Sequence, residues 1–163
     1  NQEVRKSFWE DLVPTYLYPD SNQRPFSIRS FIQEVRAGDA AGFMRRMETL
    51  IAGVPYSEKG SAEGHFQNAV YLLFSLMGFY CKMEERTSTG RIDIRLETDR
   101  CIFIIEFKID STAQAAMEQI EERRYWLPDR LSGKEIILIG ANFDTKTRRL
   151  SEDPVIKRIA LDS

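Results

Sequence analysis

Apolar residues recur at helical spacing through the first half of the chain, and the period changes to that of strands after Gly78. Val4, Phe8 and Leu12 follow one another at four-residue intervals behind Asn1, a possible cap, until Pro14 interrupts the pattern. Turn formers then cluster from Tyr18 through Asn22 and on to Pro25. Phe31, Ile32 and Val35 predict a second helix that stops at Gly38. Asp39 is placed to cap a third, whose apolar face is Phe43, Met44, Met47, Leu50 and Ile51, with Gly53 as its stop. Gly60-Ser61 opens a longer helix with the stripe Phe66, Ala69, Val70, Leu73, Leu76 and Met77, ending near Gly78.

The segment Phe79 to Glu85 reads as a strand, and Thr87-Ser88-Thr89-Gly90 as a turn. Arg91 to Glu97 is a second strand, Thr98-Asp99-Arg100 a turn, and Cys101 to Ile109 a third strand. Ser111 or Thr112 caps a helix that runs to about Leu127, before Pro128. Glu135 to Ala141 is a fourth strand, and Arg148 to Leu150 begins a short fifth. A helix between the third and fourth strands allows a crossover and parallel pairing there. The expected fold is therefore α/β of the α+β type, a mixed sheet with helices on its faces. The expected division is a helical connector or N-terminal extension over residues 1–53 and a core over 54–163.

A length of 163 residues fits one domain with a full core and leaves room for a helical appendage. No apolar run is long enough to cross a bilayer, and no signal-peptide pattern opens the chain. The first residue is Asn1, so the chain reads as part of a longer protein. A formal charge of −2 argues against coating nucleic acid by bulk electrostatics, though not against a local basic rim. Arg123, Arg124, Arg130, Lys134, Lys146, Arg148 and Arg149 make one stretch predominantly basic, which fits a solvated face as well as a phosphate-binding rim. Cys81 and Cys101 sit in apolar runs without a CxxC pattern, as free thiols in a reducing cytoplasm would. His65, the single histidine, lacks soft partners for a zinc site, and a structural role suits it better than a catalytic one.

A few charged residues break the folding pattern. The third strand, Cys101 to Ile109, is apolar on both faces, as a doubly covered central strand should be. Glu106 and Lys108 nevertheless project from it on the face of Ile102 and Ile104. Burying such charges is costly unless they are paired, hydrogen-bonded or bound to metal. An isolated Glu-x-Lys is more often a strand end surfacing into solvent. Asp93 lies opposite the apolar face of the second strand, and counting back from the hairpin turn brings it beside Glu106. Two facing carboxylates call for a neutralising cation. Glu63 begins the buried stripe of its helix, where it either favours the helix N-terminus through the dipole or reaches a metal over the sheet. Carboxylates bind hard cations such as Mg²⁺ or Mn²⁺, and a lysine beside them can position water and offset developing negative charge.

Glu63 on a helix, Asp93 on a strand, Glu106-Phe107-Lys108 on the next strand and Gln119 on the following helix resemble the PD-(D/E)xK nuclease superfamily. The local wording of Glu63 to Gly78, Gly90-Arg91-Ile92-Asp93, Ile104 to Lys108 and Ala116 to Tyr125 is similar to the nuclease-like domain found after AAA-ATPase-like domains in many bacterial proteins. The likeness covers roughly Phe43 to Ile159, and Asn1 to Tyr18 resembles that family's connector. It implies a restriction-endonuclease-like αβββαβ core and a cytoplasmic, Mg²⁺- or Mn²⁺-dependent nuclease acting on DNA or RNA, with an ATPase-like domain upstream. It further implies that Asp93, Glu106 and the Phe107 carbonyl bind metal and that Glu63 does so directly or through water. Lys108 would be the catalytic lysine and Gln119 would orient the site or contact phosphate, with Tyr125 a weaker candidate. Ile92 stands where the motif has proline. The alternative is a non-catalytic nucleic-acid-binding or regulatory module coupled to an ATPase-like domain.

Overall fold

The computed structural model describes residues 28–53, 61–78, 81–88 and 91–159, together with Glu3. The expected first helix, over Val4, Phe8 and Leu12, lies outside the described residues. Helix α1 spans Ile28–Ala37 and α2 spans Ala40–Gly53. Between them Gly38 has φ +74°, a left-handed conformation that suits glycine. Asp39 then caps α2, accepting a hydrogen bond from the Gly42 N–H at 2.9 Å. Helix α3, Ala62–Met77, starts with Ser61 Oγ accepting from the Gly64 N–H at 3.0 Å.

Strand β1 is Lys82–Ser88, β2 is Arg91–Glu97 and β3 is Cys101–Ile109. They form the expected antiparallel meander. The first strand is described from Lys82, and Phe79 and Tyr80, its expected start, lie outside the described residues. The Cys81 N–H donates to the Met77 carbonyl at 3.0 Å. Thr87 and Ser88, expected in the turn, instead pair with Ile92 and Arg91.

Helix α4, Ala113–Arg123, is capped by Thr112, whose Oγ1 accepts from the Ala115 N–H at 3.0 Å. It ends four residues short of Leu127. Arg124 turns left-handed at φ 50°, which lets Tyr125 and Trp126 pack on the small apolar cluster beneath the helix. A 3-10 turn at Leu127–Asp129 follows. Strand β4, Glu135–Asp144, runs parallel to β3, as the crossover requires. Two short strands share its other edge, β5 at Arg149–Leu150 and β6 at Val155–Ile159, both antiparallel. The sequence pattern had not indicated β6.

The sheet is covered on both faces. On one face α1, α2 and α3 enclose Phe103, Ile105, Phe107, Ile137 and Phe143 in one continuous apolar layer. Phe66 of α3 stacks on Phe143 with ring centroids 4.2 Å apart. On the other face α4 lays Met117 and Ile120 against Ile102, Ile104, Ile136 and Leu138. Each such side chain, fully buried, contributes about 1.5–3 kcal/mol. Double cover explains why β3 is apolar on both sides from Cys101 to Ile105. Among the described residues no helix is long and apolar enough to cross a membrane.

Candidate active site

Strand alternation sends Ile92, Ile94 and Leu96 into the layer under α1 to α3. Arg91, Asp93 and Arg95 therefore face the α4 side. Register then fixes their neighbours. Asp93 lies directly opposite Glu106, Arg91 opposite Lys108, and Arg86 of β1 opposite Asp93. On the far side of β3, Gly140 stands opposite Glu106 and Asn142 opposite Lys108. The site is thus one patch of the sheet at the far end of the β2–β3 hairpin.

Gly140 sets the depth of this patch. A Cβ there would lie 2.6 Å from both the Ala113 carbonyl oxygen and the Met117 nitrogen of α4. The helix backbone can come this close only because the position carries no side chain. That approach holds Gln119 over β3, where Lys108 Nζ donates to Gln119 Oε1.

Glu106 is 0 % exposed. Lys108 Nζ lies 3.1 Å from Glu106 Oε1 as an ion pair, and Arg91 Nη2 lies 3.2 Å from Asp93 Oδ2. Even so, Asp93 Oδ1 and both Glu106 oxygens are buried without a hydrogen-bond partner. Two donors there, Arg91 Nε and Gln119 Nε2, are likewise buried and unpartnered. Burial pushes the Glu106 carboxyl above its ordinary pKa. The Lys108 ammonium opposes that shift, and the facing Asp93 carboxylate adds to it. A buried polar atom left unpaired is destabilising. Four such atoms beside the Glu106–Lys108 ion pair are an arrangement that packing alone does not favour.

This donor set suits a hard divalent cation. Asp93 Oδ1 and Glu106 Oε2, unpartnered, and Glu106 Oε1, paired with Lys108 alone, supply anionic oxygen ligands, and the Phe107 carbonyl lies next in the chain. Mg²⁺ characteristically takes one or two protein carboxylates and retains several waters. Among the described residues no group of three or more His, Cys, Asp or Glu side chains gathers around one point. Asp93 and Glu106 are the two acids that the register sets directly opposite one another.

The expected residues are placed as follows. Asp93, Glu106, Lys108 and Gln119 come together on the α4 side of the sheet. Glu63 lies in the first turn of α3, whose apolar stripe packs on the opposite face, and its Oε1 accepts from Gln67 Nε2 at 3.1 Å. The stacking of Phe66 on Phe143, and its approach to Phe107 at 5.7 Å, puts that turn at the same end of the sheet as Glu106. His65 belongs to the same turn. The basic stretch from Arg123 to Arg149 does not form a single rim. Lys134 pairs with Glu97 before β4, whereas Lys146, Arg148 and Arg149 follow its ten residues. Arg123 of that stretch does interact electrostatically with Glu106 and Asp93, and it joins Arg86, Arg91 and Lys108 around the acids. The spacing of Arg91, two residues before Asp93, was a legible signal for it. Arg86 needed the register of β1.

An acid on one strand and Glu-x-Lys on its neighbour, in a mixed sheet between helices, define the restriction-endonuclease-like class of α/β fold. A family model described as the PD-(D/E)XK nuclease superfamily matches residues 61–153, more than half of the chain, and the chain belongs to that superfamily. Its nucleases generally use divalent metals on nucleic-acid substrates. The chain is also 26 % identical over 155 residues to a protein of Azotobacter chroococcum mcd 1 described as "Uncharacterized protein in vnfD 5'region". The alignment covers 91 % of this chain and 30 % of that relative.

Proposed function

We propose that this chain is a divalent-metal-dependent nuclease domain that hydrolyses phosphodiester bonds of DNA or RNA. The observation that carries the reading is the facing pair Asp93 and Glu106, whose Oδ1 and Oε2 are buried without a partner while Glu106 Oε1 pairs with Lys108. Asp93, Glu106 and the Phe107 carbonyl hold Mg²⁺ or Mn²⁺, with Glu63 contributing through water. The bound ion supplies a lowered pKa for water and relief of charge on the phosphoryl oxygens. Lys108 positions the attacking water and, together with Arg91, offsets charge on the phosphoryl group. Gln119 holds Lys108 in place and turns its amide toward the site. Water oxygen bonds to phosphorus, the bond to the leaving sugar oxygen breaks, and a proton from the water ends on that oxygen.

Charge supports the same reading. Arg86, Arg91 and Lys108 surround the Asp93–Glu106 pair, and a divalent ion makes the patch more positive. Such a patch attracts a phosphodiester. The helical extension that ends at residue 53 contributes α1 and α2, and their packing on the sheet in one shared apolar layer supports its docking on the core. A longer protein with an ATPase-like domain upstream, in the cytoplasm, completes the proposal. The greater length of the Azotobacter relative and the free Cys81 and Cys101 are compatible with it.

The test is calorimetric titration of Mn²⁺ and Mg²⁺ into wild type and Asp93→Ala/Glu106→Ala, followed by cleavage assays on single- and double-stranded DNA and RNA. Metal binding and cleavage in wild type, both lost in the variant, are expected. Cleavage that survives in Asp93→Ala, Glu106→Ala and Lys108→Ala alike would refute the assignment.

A further inference from the structure

A half-open cleft of about 140 Å³ lies beside the acid pair on the α4 side of the sheet. Ile104 lines its base and Tyr125 one wall, with Glu84, Arg86 and Arg95 around it and Asp93 at one end. Its surface is mostly apolar in an otherwise charged neighbourhood. Ile104 is buried, and its row of the sheet reads Glu84, Arg95, Ile104, Leu138.

Two features show that the cleft is built. Arg95 is locked at the rim, with Nε and Nη2 donating to the Asp129 carboxylate at 3.0 and 2.6 Å and Nη1 to Glu97 at 3.1 Å. Tyr125 is held by its hydroxyl, which accepts from Arg123 Nη1 at 3.0 Å. The Arg123 guanidinium also stands 6.0 Å from the ring centroid. The left-handed Arg124 turns the chain so that the ring reaches the cleft wall.

We infer that this cleft is a nucleobase subsite and that the substrate carries an unpaired nucleotide next to the scissile phosphate. The inference rests on the nuclease reading of Asp93 and Glu106 and adds a substrate class to it. Asp93 belongs both to the acid pair and to the cleft lining, so whatever fills the cleft is an immediate neighbour of the reacting phosphate. Phosphates and sugars are charged or hydrated and have no apolar part that matches Ile104 and Tyr125. A base has a flat π-face, and in an intact duplex both its faces are covered by neighbouring bases. Only an unpaired or extruded base can enter. Tyr125 then stacks on it while Arg86, opposite Asp93, meets the backbone.

The experiment titrates the whole chain, in EDTA so that no strand is cut, with labelled oligothymidylate, an abasic oligomer of the same phosphate count and a blunt duplex. Wild type binds the oligothymidylate more tightly than either of the others. Tyr125→Leu, which keeps an apolar side chain, weakens oligothymidylate binding by roughly 5- to 150-fold, the span expected for one base–aromatic stack. The same variant leaves abasic and duplex binding unchanged, and Tyr125→Phe retains the preference. Circular dichroism and thermal melting confirm that both variants fold. Equal or undetectable binding of all three probes by wild type overturns the inference, as does equal loss in the Leu and Phe variants. Turnover plays no part in the titration. A chain that prefers oligothymidylate but never cleaves with Mn²⁺ refutes hydrolysis and leaves the subsite standing, and the opposite result refutes the subsite alone.

Discussion

Gly140→Ala is the substitution most directly measured by the geometry. The added Cβ would sit 2.6 Å from the Ala113 carbonyl oxygen and the Met117 nitrogen, and 3.1 Å from Met117 Cα. Carbon contacts are comfortable at about 3.5–4.0 Å, so helix α4 has to retreat by roughly 1 Å. These are backbone atoms, and no side-chain rotamer change relieves the overlap. A gap of that size removes a quarter to a half of the dispersion attraction along the contact. Met117 and Ile120 of α4, both buried against β3 and β4, bear most of it. Overpacking by one carbon costs about 1–3 kcal/mol in a well-filled core. We expect a loss of about 2 kcal/mol, which lowers the melting temperature by roughly 4–8 °C for a chain of this size. Urea denaturation of wild type and variant is the assay, with a lower midpoint at unchanged slope as the expected result. The retreat also draws Gln119 away from Lys108. A stability within about 0.5 kcal/mol of wild type would refute the claim that bare backbone lets α4 approach the site.

Mn²⁺ at about a hundredfold over its dissociation constant should stabilise the chain by about 2.7 kcal/mol and raise its melting temperature by roughly 5–10 °C. Glu106→Gln should abolish that shift in a thermal melt. Because burial raises the Glu106 pKa, protons compete with metal at higher pH than for a free glutamate, and calorimetry should show affinity falling as the medium is acidified. Lys108→Met should lower the cleavage rate by about 10²–10³ while calorimetry still detects metal binding, and an unchanged rate would remove Lys108 from the chemistry. Glu97 tests electrostatics away from the site. Hydrogen bonds from Lys134 and then Arg95 lower its carboxyl to about 2. A depressed acid stabilises the fold above its unfolded pKa of 4.5, and that contribution is lost as pH falls toward 2. Glu97→Gln should therefore show a shallower acid loss in urea midpoints measured across that window.

How much of this was legible in the sequence depended on whether a residue's neighbours were near in the chain. Strands β2 and β3 have the expected bounds because Ile92, Ile94 and Leu96 alternate cleanly and a three-residue turn joins the pair. The same turn allowed Asp93 to be counted into register with Glu106, so the centre of the candidate site followed from local rules. Elements shaped by tertiary contact were harder. Helical periodicity runs on past Arg123, yet the helix stops there because Tyr125 and Trp126 gain more from packing than from another turn. Strand β6 contains the exposed Lys157 and Arg158 and reads as a polar tail. Only the open edge of β4 makes it a strand. Gly140 looks like a weak point in the run from Ile136 to Ala141, since strand glycines are usually destabilising. Its purpose appears only when α4 lies across it, and it is this residue that brings Gln119 within reach of Lys108. The charges of the site could be read from alternation along two strands. Its depth came from a residue with no side chain to read, so any sequence-based account of such sites must ask which glycines face a crossing helix.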